Sequence, residues 1–401
     1  MRRARANAAD HLGTPLRQLN RSPGHARSAT IGLVLARLAV VRRRRLAAVQ
    51  ISIVLALAGC GRINFGSTDD ANGGGWPAGW QYRKALVIDH LRVAGDLVDF
   101  PVLVDLGDPD LVRAQPTGAD LRFVDATGRP LAHELETFGI TPTRLIAWVK
   151  VPAVSAAVDT TFYLYYGNPS ASDPQRAPAV WTGYASVYHF GELDPLDVHD
   201  ATGVNDGINT GATAAPGQVL GAASFSGGPN ISAGAVGVDG SPGGYNTVSF
   251  WMRYNGSLGK AAFAFVDAGK GYDLWMASAS CFGFNTENSD GLGTTVGIPA
   301  MTGRWVHVAA VFYNGVPDAT HNQLWIDGVQ QTLTTCFGTP TARTATGSVY
   351  WASLHGYELT GLLDEGRVSP GVRAPAWIET EFANQRDPHA FVTAGPEQPA
   401  P

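Results

Sequence analysis

The chain has 401 residues with 29 basic and 34 acidic side chains, so its formal charge is −5. The first 60 residues hold eleven arginines and one aspartate, which leaves 18 basic and 33 acidic groups, a net charge of −15, in the remainder. A segment that acidic lacks the clustered cations that bind phosphates, so the composition excludes nucleic acid as a partner. The 48 glycines and 25 prolines, with only 16% charged residues, favour short strands and turns over helical bundles.

An apolar run near the amino terminus ends at a cysteine. The basic stretch "VRRRR" precedes "LAAVQISIVLALAG", a run of 14 residues that reaches Cys60. A bilayer span needs about 20 apolar residues, whereas a basic flank before a short apolar core is the build of a secretory signal. The closing "LAGC" resembles a bacterial lipobox, which implies a lipoprotein signal peptide over residues 41–60 and lipidation of Cys60. A buried core helix with an incidental cysteine is the alternative.

The segments on either side of this signal predict where the protein is placed. Residues 1–40 are rich in arginine and are interpreted as a non-native or leader extension, with translation starting near Val40 or Val41. Residues 61–79 are rich in Gly, Asp and Asn without an apolar period, which favours a flexible tether. Gly61 stands where an aspartate would signal retention at the inner membrane. We therefore expect an exported, lipid-anchored protein at the outer membrane or cell surface.

Short strand signals recur between residues 80 and 175. In "RLIAWVKV" the alternate residues Leu145, Ala147 and Val149 share one face, as a half-buried antiparallel strand requires. The pattern predicts a β-sandwich over residues 80–175. The blocks "WQYRKALVI", "GADLRFVDATGRPLAHELE" and "YLYYGNPSA" resemble an uncharacterised β-domain that recurs in exported bacterial and archaeal proteins. That family is a domain of unknown function, so the resemblance implies no reaction.

A second series of strand signals covers residues 184–395 and includes "NTVSFWMRY", "RWVHVAAVF" and "NQLWIDGVQQ". Asp327 and Gly328 separate two apolar runs and predict a two-residue hairpin turn, and residues 375–385 are expected to form a short helix. The series is similar to laminin-G-like domains of the concanavalin A lectin/glucanase superfold. The resemblance implies a jelly roll with ligands on the concave sheet or rim loops. The expected fold class is all-β, with two β-sandwich domains, the second a concanavalin A-like jelly roll.

Two cysteines lie beyond the predicted signal, Cys281 and Cys336. In an oxidising compartment such a pair favours a disulfide, here closing a loop of about 55 residues. Two small buried thiols are the alternative.

The sequence lacks the catalytic patterns of this superfold. Retaining glycoside hydrolysis needs two carboxyl groups about 5–5.5 Å apart, and the E-x-D-x-E strand that supplies them in laminarinase-type members is missing. Asp364 and Glu365 are adjacent, so on a strand they are expected to face opposite sides. "HELE" at His133 lacks the second histidine of a zinc-protease helix. We therefore expect no enzymatic activity, with a glycan-degrading hydrolase as the alternative.

The loop "LDPLDVHDATGVNDG" concentrates the oxygen ligands that Ca²⁺ prefers, and its backbone contains glycine. The similarity to laminin-G-like domains implies a structural Ca²⁺ where this opening loop meets the penultimate strand. The predicted ligands are Asp200, Asn205, Asp206 and Asp364, and the loop also contains Asp194 and Asp197. Aspartates that accept hydrogen bonds from their own turn are the alternative.

Aromatic residues are concentrated in the second half of the chain. Trp251, Trp305 and Trp325 lie in the middle of predicted strands, which favours core packing over ligand binding. Trp275 and Tyr357 are the candidates for exposed ligand-binding rings. The resulting expectation is a non-catalytic envelope lipoprotein that binds a polysaccharide or another surface glycan, with a surface protein as a second type of partner. A purely structural surface protein is the alternative from another class.

Overall fold

The structure, a computed structural model, describes residues 76–191, 195–267, 269–294 and 298–401. All of them lie in one compact unit that spans Ser67–Pro401. Cys60, the predicted signal peptide, residues 1–40 and Asp194 lie outside the described residues, as does most of the predicted tether. The described ranges contain no helix of the length and apolar character needed to cross a bilayer.

The first sandwich consists of a five-stranded and a three-stranded sheet. Its strands are β1 (Tyr82–Ile88), β2 (Leu97–Leu106), β3 (Arg122–Asp125), β4 (His133–Ile140), β5 (Thr143–Val154), β6 (Thr160–Tyr166), β23 (Val392–Ala394) and β24 (Gln398–Pro399). The first sheet has the order β23-β1-β6-β3 with β24 beside β1, and the second has the order β2-β5-β4. All of these pairs are antiparallel. Two 3₁₀ helices, His90–Arg92 and Pro109–Arg113, connect the early strands.

Strand β5 buries both of its faces. Leu145, Ala147 and Val149 pack in the core between the two sheets, as the alternation predicts. Ile146 and Trp148 on the opposite face are also fully buried, in a second apolar cluster. That cluster includes residues of the second sandwich, so this face of β5 contacts the other domain and not water.

The last strands of the chain belong to the first sandwich. Strand β23 pairs with β1 in the register Leu86↔Ala394, and β24 pairs with β1 at Tyr82↔Pro399. The expected division into consecutive domains over 80–175 and 184–395 therefore differs from the structure at its carboxyl end. The segment after the second sandwich returns because Phe391 and Val392 bury their side chains in the first core.

The second sandwich consists of two eight-stranded sheets. Its strands are β7 (Ser186–Tyr188), β8 (Ile208–Asn209), β9 (Thr213–Pro216), β10 (Gly221–Ser226), β11 (Ile231–Ala233), β12 (Tyr245–Tyr254), β13 (Lys260–Asp267), β14 (Lys270–Ser278), β15 (Cys281–Asn285), β16 (Gly291–Thr294), β17 (Trp305–Tyr313), β18 (Gln323–Ile326), β19 (Val329–Gln330), β20 (Thr334–Phe337), β21 (Val349–Trp351) and β22 (Thr360–Pro370). The α-helices of the described residues are α1 (Ala177–Val180), α2 (Ile298–Met301), α3 (Pro375–Arg386) and α4 (Pro388–Phe391).

The two sheets of the second sandwich are named here after one central strand each. The β12 sheet has the order β19-β18-β17-β12-β22-β10-β9 with β7 beside β22, and the β14 sheet has the order β20-β16-β15-β14-β13-β21-β11-β8. Their facing surfaces enclose a large apolar core that includes Phe250, Phe263 and Trp351. The expected all-β class with two sandwiches is confirmed. The hairpin turn is confirmed as well, with φ of 51° at Asp327 and 72° at Gly328.

The outer face of the β12 sheet is covered. Helix α3, at the predicted position, packs Ile378 against Trp325 of this face, and Gln385 accepts a hydrogen bond of 2.6 Å from the Trp251 indole. Trp251 and Trp325 are 2% and 3% exposed, which agrees with the predicted packing role. Asn384 of the same helix accepts a hydrogen bond from the Leu103 amide in the first sandwich. Helix α3 therefore ties the two sandwiches together.

Candidate functional site

The two aromatic residues singled out by sequence meet on the outer face of the β14 sheet. The ring centroids of Trp275 and Tyr357 lie 4.6 Å apart with an interplanar angle of 77°, an edge-to-face contact. Trp275 projects from β14 between the core residues Leu274 and Met276. Tyr357 is 45% exposed. The structure thus brings together two candidates that are 82 positions apart in the chain.

The loop that carries Tyr357 is held firmly on the sheet. The Tyr357 amide donates to the Leu354 carbonyl, and the Ala261 amide donates to the Tyr357 carbonyl. Leu354 packs over Gly271, where a Cβ would lie 2.3 Å from its side chain, so a larger residue at position 271 would displace Leu354. His355, with φ of 44°, pairs with Glu287 at 3.0 Å. The Tyr357 ring is therefore positioned before any ligand binds.

Next to Trp275, strands β15 and β16 of the β14 sheet approach each other closely. Gly283 pairs with Trp275 on one side and with Gly293 on the other. A Cβ on Gly283 would lie 2.3 Å from the Leu292 carbonyl oxygen, so β15 and β16 approach too closely for a side chain. A disulfide joins Cys281 of β15 to Cys336 of the edge strand β20, as the sequence favours. The sheet beside the ring pair is therefore cross-linked at its edge.

A carboxyl group is buried on this same face without a partner. Asp273, two residues before Trp275, is fully buried, and neither of its oxygens has a hydrogen-bond partner among the described residues. Burial, followed by the charges of Glu287 and Asp290, raises the pKa of Asp273 well above its usual range. The folded structure therefore favours the protonated, neutral form of the Asp273 carboxyl group.

The predicted Ca²⁺ ligands occupy two separate positions. Asp200 accepts hydrogen bonds from the amides of Val187, Thr202 and Asn205, and so closes its own loop. Asp206 accepts from the Asp200 amide and pairs with His199 at 2.7 Å. This is the turn-capping arrangement given above as the alternative.

Asp364 lies apart from the Asp200 loop, whereas Asn205 belongs to it. Asp364 accepts hydrogen bonds from the amides of Gln218 and Val219, and Asn205 accepts one from the Tyr188 hydroxyl through its carbonyl. Among the described residues, the groups of three or more His, Cys, Asp or Glu side chains whose ligand atoms lie within 4.8 Å of one another do not include Asp200, Asp206 or Asp364. Calcium binding stays a prediction.

The structure differs from the sequence expectation at Asp364 and Glu365. Strand β22 has a register shift opposite β12, and Glu365 has a φ of 54°, which marks a β-bulge. Asp364 aligns with the outward Trp251, while Glu365 contacts Arg367 and His189 on the same outer side. The bulge brings the two adjacent carboxylates to one side of the sheet, where a regular strand would separate them.

Glu365 belongs to a buried charged cluster between the two sandwiches. From the first sandwich come Glu134 and Glu136 of β4, and from the second come His189, Glu365 and Arg367. Burial, followed by the charge of Glu365, raises the pKa of Glu136 well above its usual range. Burial alone would lower the pKa of His189, but the charges of Glu365, Glu136 and Glu134 outweigh it and raise that pKa. Sequence reasoning missed this cluster because its members lie on strands of different domains.

A cleft of about 750 Å³ opens in the first sandwich. Trp80 and Arg122 line it, with the guanidinium carbon 5.0 Å from the indole centroid. His133 also lines it and is 1% exposed; burial lowers the pKa of its imidazole. Among the described residues its Nε2 has no hydrogen-bond partner. The motif "HELE" places His133 on a strand, as expected, and no sequence pattern predicted the cleft.

Two family models match the chain. A domain of unknown function (DUF2341) matches residues 117–200, and the concanavalin A-like lectin/glucanases superfamily, through its Laminin_G_3 model, matches residues 225–379. The chain contains both domains, in this order. The first match extends past residue 175, where the sequence predicted the end of the first sandwich. No curated protein matches the chain.

Solved structures resemble part of the chain. Domain 4 of AbnA, a GH43 extracellular arabinanase from Geobacillus stearothermophilus in complex with arabinotriose, is 22% identical with a TM-score of 0.37, covering 50% of this chain and 98% of that one. The binding domain of botulinum neurotoxin DC in complex with rat synaptotagmin II is 11% identical with a TM-score of 0.38, covering 51% and 52%. The present chain thus spans nearly all of the arabinanase domain and about half of the toxin fragment.

Proposed function

We propose that the protein is a non-catalytic binding module that holds a polysaccharide or another surface glycan against the outer face of the β14 sheet. The observation that carries the proposal is the edge-to-face pair of Trp275 and Tyr357. Aromatic rings that keep one surface in water can pack against the apolar face of a sugar ring, and a fixed pair loses little entropy on binding. The matched superfamily, described as lectins and glucanases, supports a carbohydrate ligand.

The proposal places this module on the cell envelope, through lipidation of Cys60. An acidic, well-hydrated chain on a short tether suits exposure at a surface. Replacing Cys60 by serine removes the thiol that would carry the lipid. We expect the Cys60→Ser product to stay at the size of the uncleaved precursor and to carry no lipid; a variant that stays membrane-bound at the wild-type size would contradict the placement.

Glycan binding is tested with the purified chain on a glycan array, followed by titration of the strongest ligand. We expect Trp275→Ala to weaken binding at least about fivefold, since one stacked ring contributes on the order of 1 kcal/mol or more. Phe337→Ala is the matched control, because Phe337 is 42% exposed at the edge of the same sheet and outside the ring pair. Equal losses in both variants, or none in Trp275→Ala, would contradict this site.

The same experiment separates the other candidate functions. Release of shortened products would indicate a hydrolase, and an array without any bound glycan would favour a purely structural protein. Loss of binding in Arg122→Ala but not in Trp275→Ala would move the site to the cleft of the first sandwich. Repeating the array with a chelator tests the predicted structural Ca²⁺, whose removal is expected to weaken binding if the ion supports the rim loops.

A further inference from the structure

The charged cluster between the two sandwiches has the geometry of a metal site. Nδ1 of His189 lies 2.9 Å from Oε1 of Glu365 and 3.4 Å from Oε1 of Glu136. One ligand atom from each of the three residues lies within 4.8 Å of the others. Ligand atoms that sit about 2.0–2.2 Å from a Zn²⁺ ion lie about 3–3.5 Å from each other at the corners of the coordination shell. The side chains are therefore spaced as a shared ion would require.

We propose that Glu136, His189 and Glu365 bind one divalent transition-metal ion and that this ion joins the two domains. An imidazole nitrogen with two carboxylate oxygens suits Zn²⁺ or Mn²⁺ better than Ca²⁺, which prefers a shell of six to eight oxygens. Glu136 comes from β4 of the first sandwich, whereas His189 follows β7 and Glu365 lies on β22 of the second. Neither sandwich contains the three ligands alone.

The surrounding residues orient these ligands in the way that metal sites use. Oε2 of Glu134 lies 3.3 Å from Nε2 of His189 and can accept the proton on that nitrogen. An ion bound at Nδ1 would replace the proton that this nitrogen shares with Glu365. Arg367 donates a hydrogen bond of 2.6 Å to Oε2 of Glu365, which leaves Oε1 for the ion. The Trp148 indole donates to Glu136. A carboxylate on the outer nitrogen of a ligating histidine is a common device of metal sites.

The local balance of charge favours a cation. Glu134, Glu136 and Glu365 have 15%, 4% and 1% exposed side chains, and Arg367 is the one lysine or arginine within 4.0 Å of them among the described residues. Oε2 of Glu136 is buried and has no hydrogen-bond partner there. A buried carboxylate oxygen without a partner costs free energy that a divalent ion would offset.

A second buried histidine, paired with a single carboxylate, serves as a comparison for the proposed metal-binding cluster. His307 and Glu381 are buried with a 3.1 Å contact, but Glu381 is the one carboxylate that pairs with His307 among the described residues. An exposed group, Asp89 with His90 and Asp159, also meets the spacing for three ligand atoms, but its side chains retain much of their hydration. Within the part of the chain that the structure describes, the interdomain cluster alone combines spacing, burial and an oriented imidazole.

The proposal is tested by titrating the chelator-treated full chain with ZnCl₂, MnCl₂ and CaCl₂ by calorimetry, with the bound metal counted by mass spectrometry. We expect one equivalent of Zn²⁺ or Mn²⁺ and weaker binding of Ca²⁺. His189→Gln is expected to abolish this binding, and Glu136→Gln to weaken it at least about tenfold, whereas Glu134→Gln should weaken it about 10–100-fold. Bound metal should also raise the unfolding temperature of the wild type.

His90→Gln is the matched control, because it makes the same substitution in the exposed group. We expect it to leave stoichiometry and affinity unchanged. Metal retained in His189→Gln and lost in His90→Gln would place the ion at the exposed group and overturn the proposal, as would a wild type that binds no transition metal. Glu136→Gln keeps the side-chain shape, so it decides the question if His189→Gln fails to fold. Glycan binding at Trp275 is measured separately and does not depend on this ion.

Discussion

The outer faces of the two sheets of the second sandwich both carry buried carboxyl groups. The two faces differ in whether these carboxyl groups have a charged partner. On the β12 sheet, Glu365 lies 2.6 Å from Arg367, and Glu381 of the covering helix α3 lies 3.6 Å from the same guanidinium. On the β14 sheet, Asp273 has no partner among the described residues, and a surface loop with an aromatic pair lies beside it. Paired charges hold two domains together, whereas the unpaired one accompanies the face proposed to bind ligand.

The difference teaches that a buried charge has no fixed effect on stability. Removing one partner of a buried ion pair strands the other partner, which is strongly destabilising. Neutralising a buried group that never had a partner removes a cost instead. Variants on the two faces should therefore differ in sign as well as in size.

The largest effect is expected on the covered face. Arg367→Met keeps an unbranched apolar stem but leaves Glu365 and Glu381 without their guanidinium, and it removes the packing of that group over Trp148 at 4.3 Å. We expect the free energy of unfolding to fall by about 3–5 kcal/mol, measured by urea denaturation. Arg253→Met, on an exposed arginine of the same sheet, should change it by less than about 0.5 kcal/mol.

If Arg367→Met and Arg253→Met changed the free energy of unfolding equally, the ion pairs of Arg367 would contribute nothing measurable to stability. That result would contradict the proposed difference between the two faces.

A smaller effect with a defined pH dependence is expected at Glu381. Burial opposes ionisation, but the hydrogen bond from His307 and the charge of Arg367 outweigh it and lower the pKa of Glu381 from 4.5 to about 2. Its contribution to stability is therefore present above about pH 4.5 and is lost as the pH falls through about 2. We expect Glu381→Gln to cost up to about 3 kcal/mol near neutral pH and less in acid, measured by urea unfolding at several pH values.

The smallest change in the free energy of unfolding, and one of opposite sign, is expected at Asp273 on the outer face of the β14 sheet. Because the pKa of Asp273 is higher in the folded than in the unfolded chain, its protonated carboxyl group contributes to the free energy of unfolding. That contribution is complete below the unfolded pKa of about 3.8 and is lost as the pH rises through the folded pKa. We expect Asp273→Asn to raise the free energy of unfolding by at least about 1 kcal/mol near neutral pH and to change little in acid. A loss of stability at neutral pH would show that the Asp273 carboxylate has an ionic partner.

The sequence predicted features that depend on neighbours along the chain. Asp327 and Gly328 form the predicted turn because two consecutive positive φ angles favour these residue types. Trp251 and Trp325 are buried, as their places in apolar alternation indicate, and helix α3 begins at Pro375 as its preset φ favours. Each of these depends on a local backbone preference or on a period of two.

Features that depend on contacts distant in sequence escaped prediction. The predicted second domain, 184–395, includes β23, and β24 lies outside both predicted domains, because nothing in residues 392–399 specifies that β1 is their partner. Asp364 and Glu365 were expected on opposite faces, because a bulge depends on the register of the neighbouring strand.

By itself, the sequence determined the all-β class, the two domains, the disulfide pair and the two aromatic candidates, because composition, alternation and turn chemistry act over a few residues. Only the tertiary structure decided that Trp275 meets Tyr357 and that Glu136 meets His189 and Glu365. The physical reason is that both sets assemble across strands and domains, where sheet order and packing bring together residues that no local pattern relates.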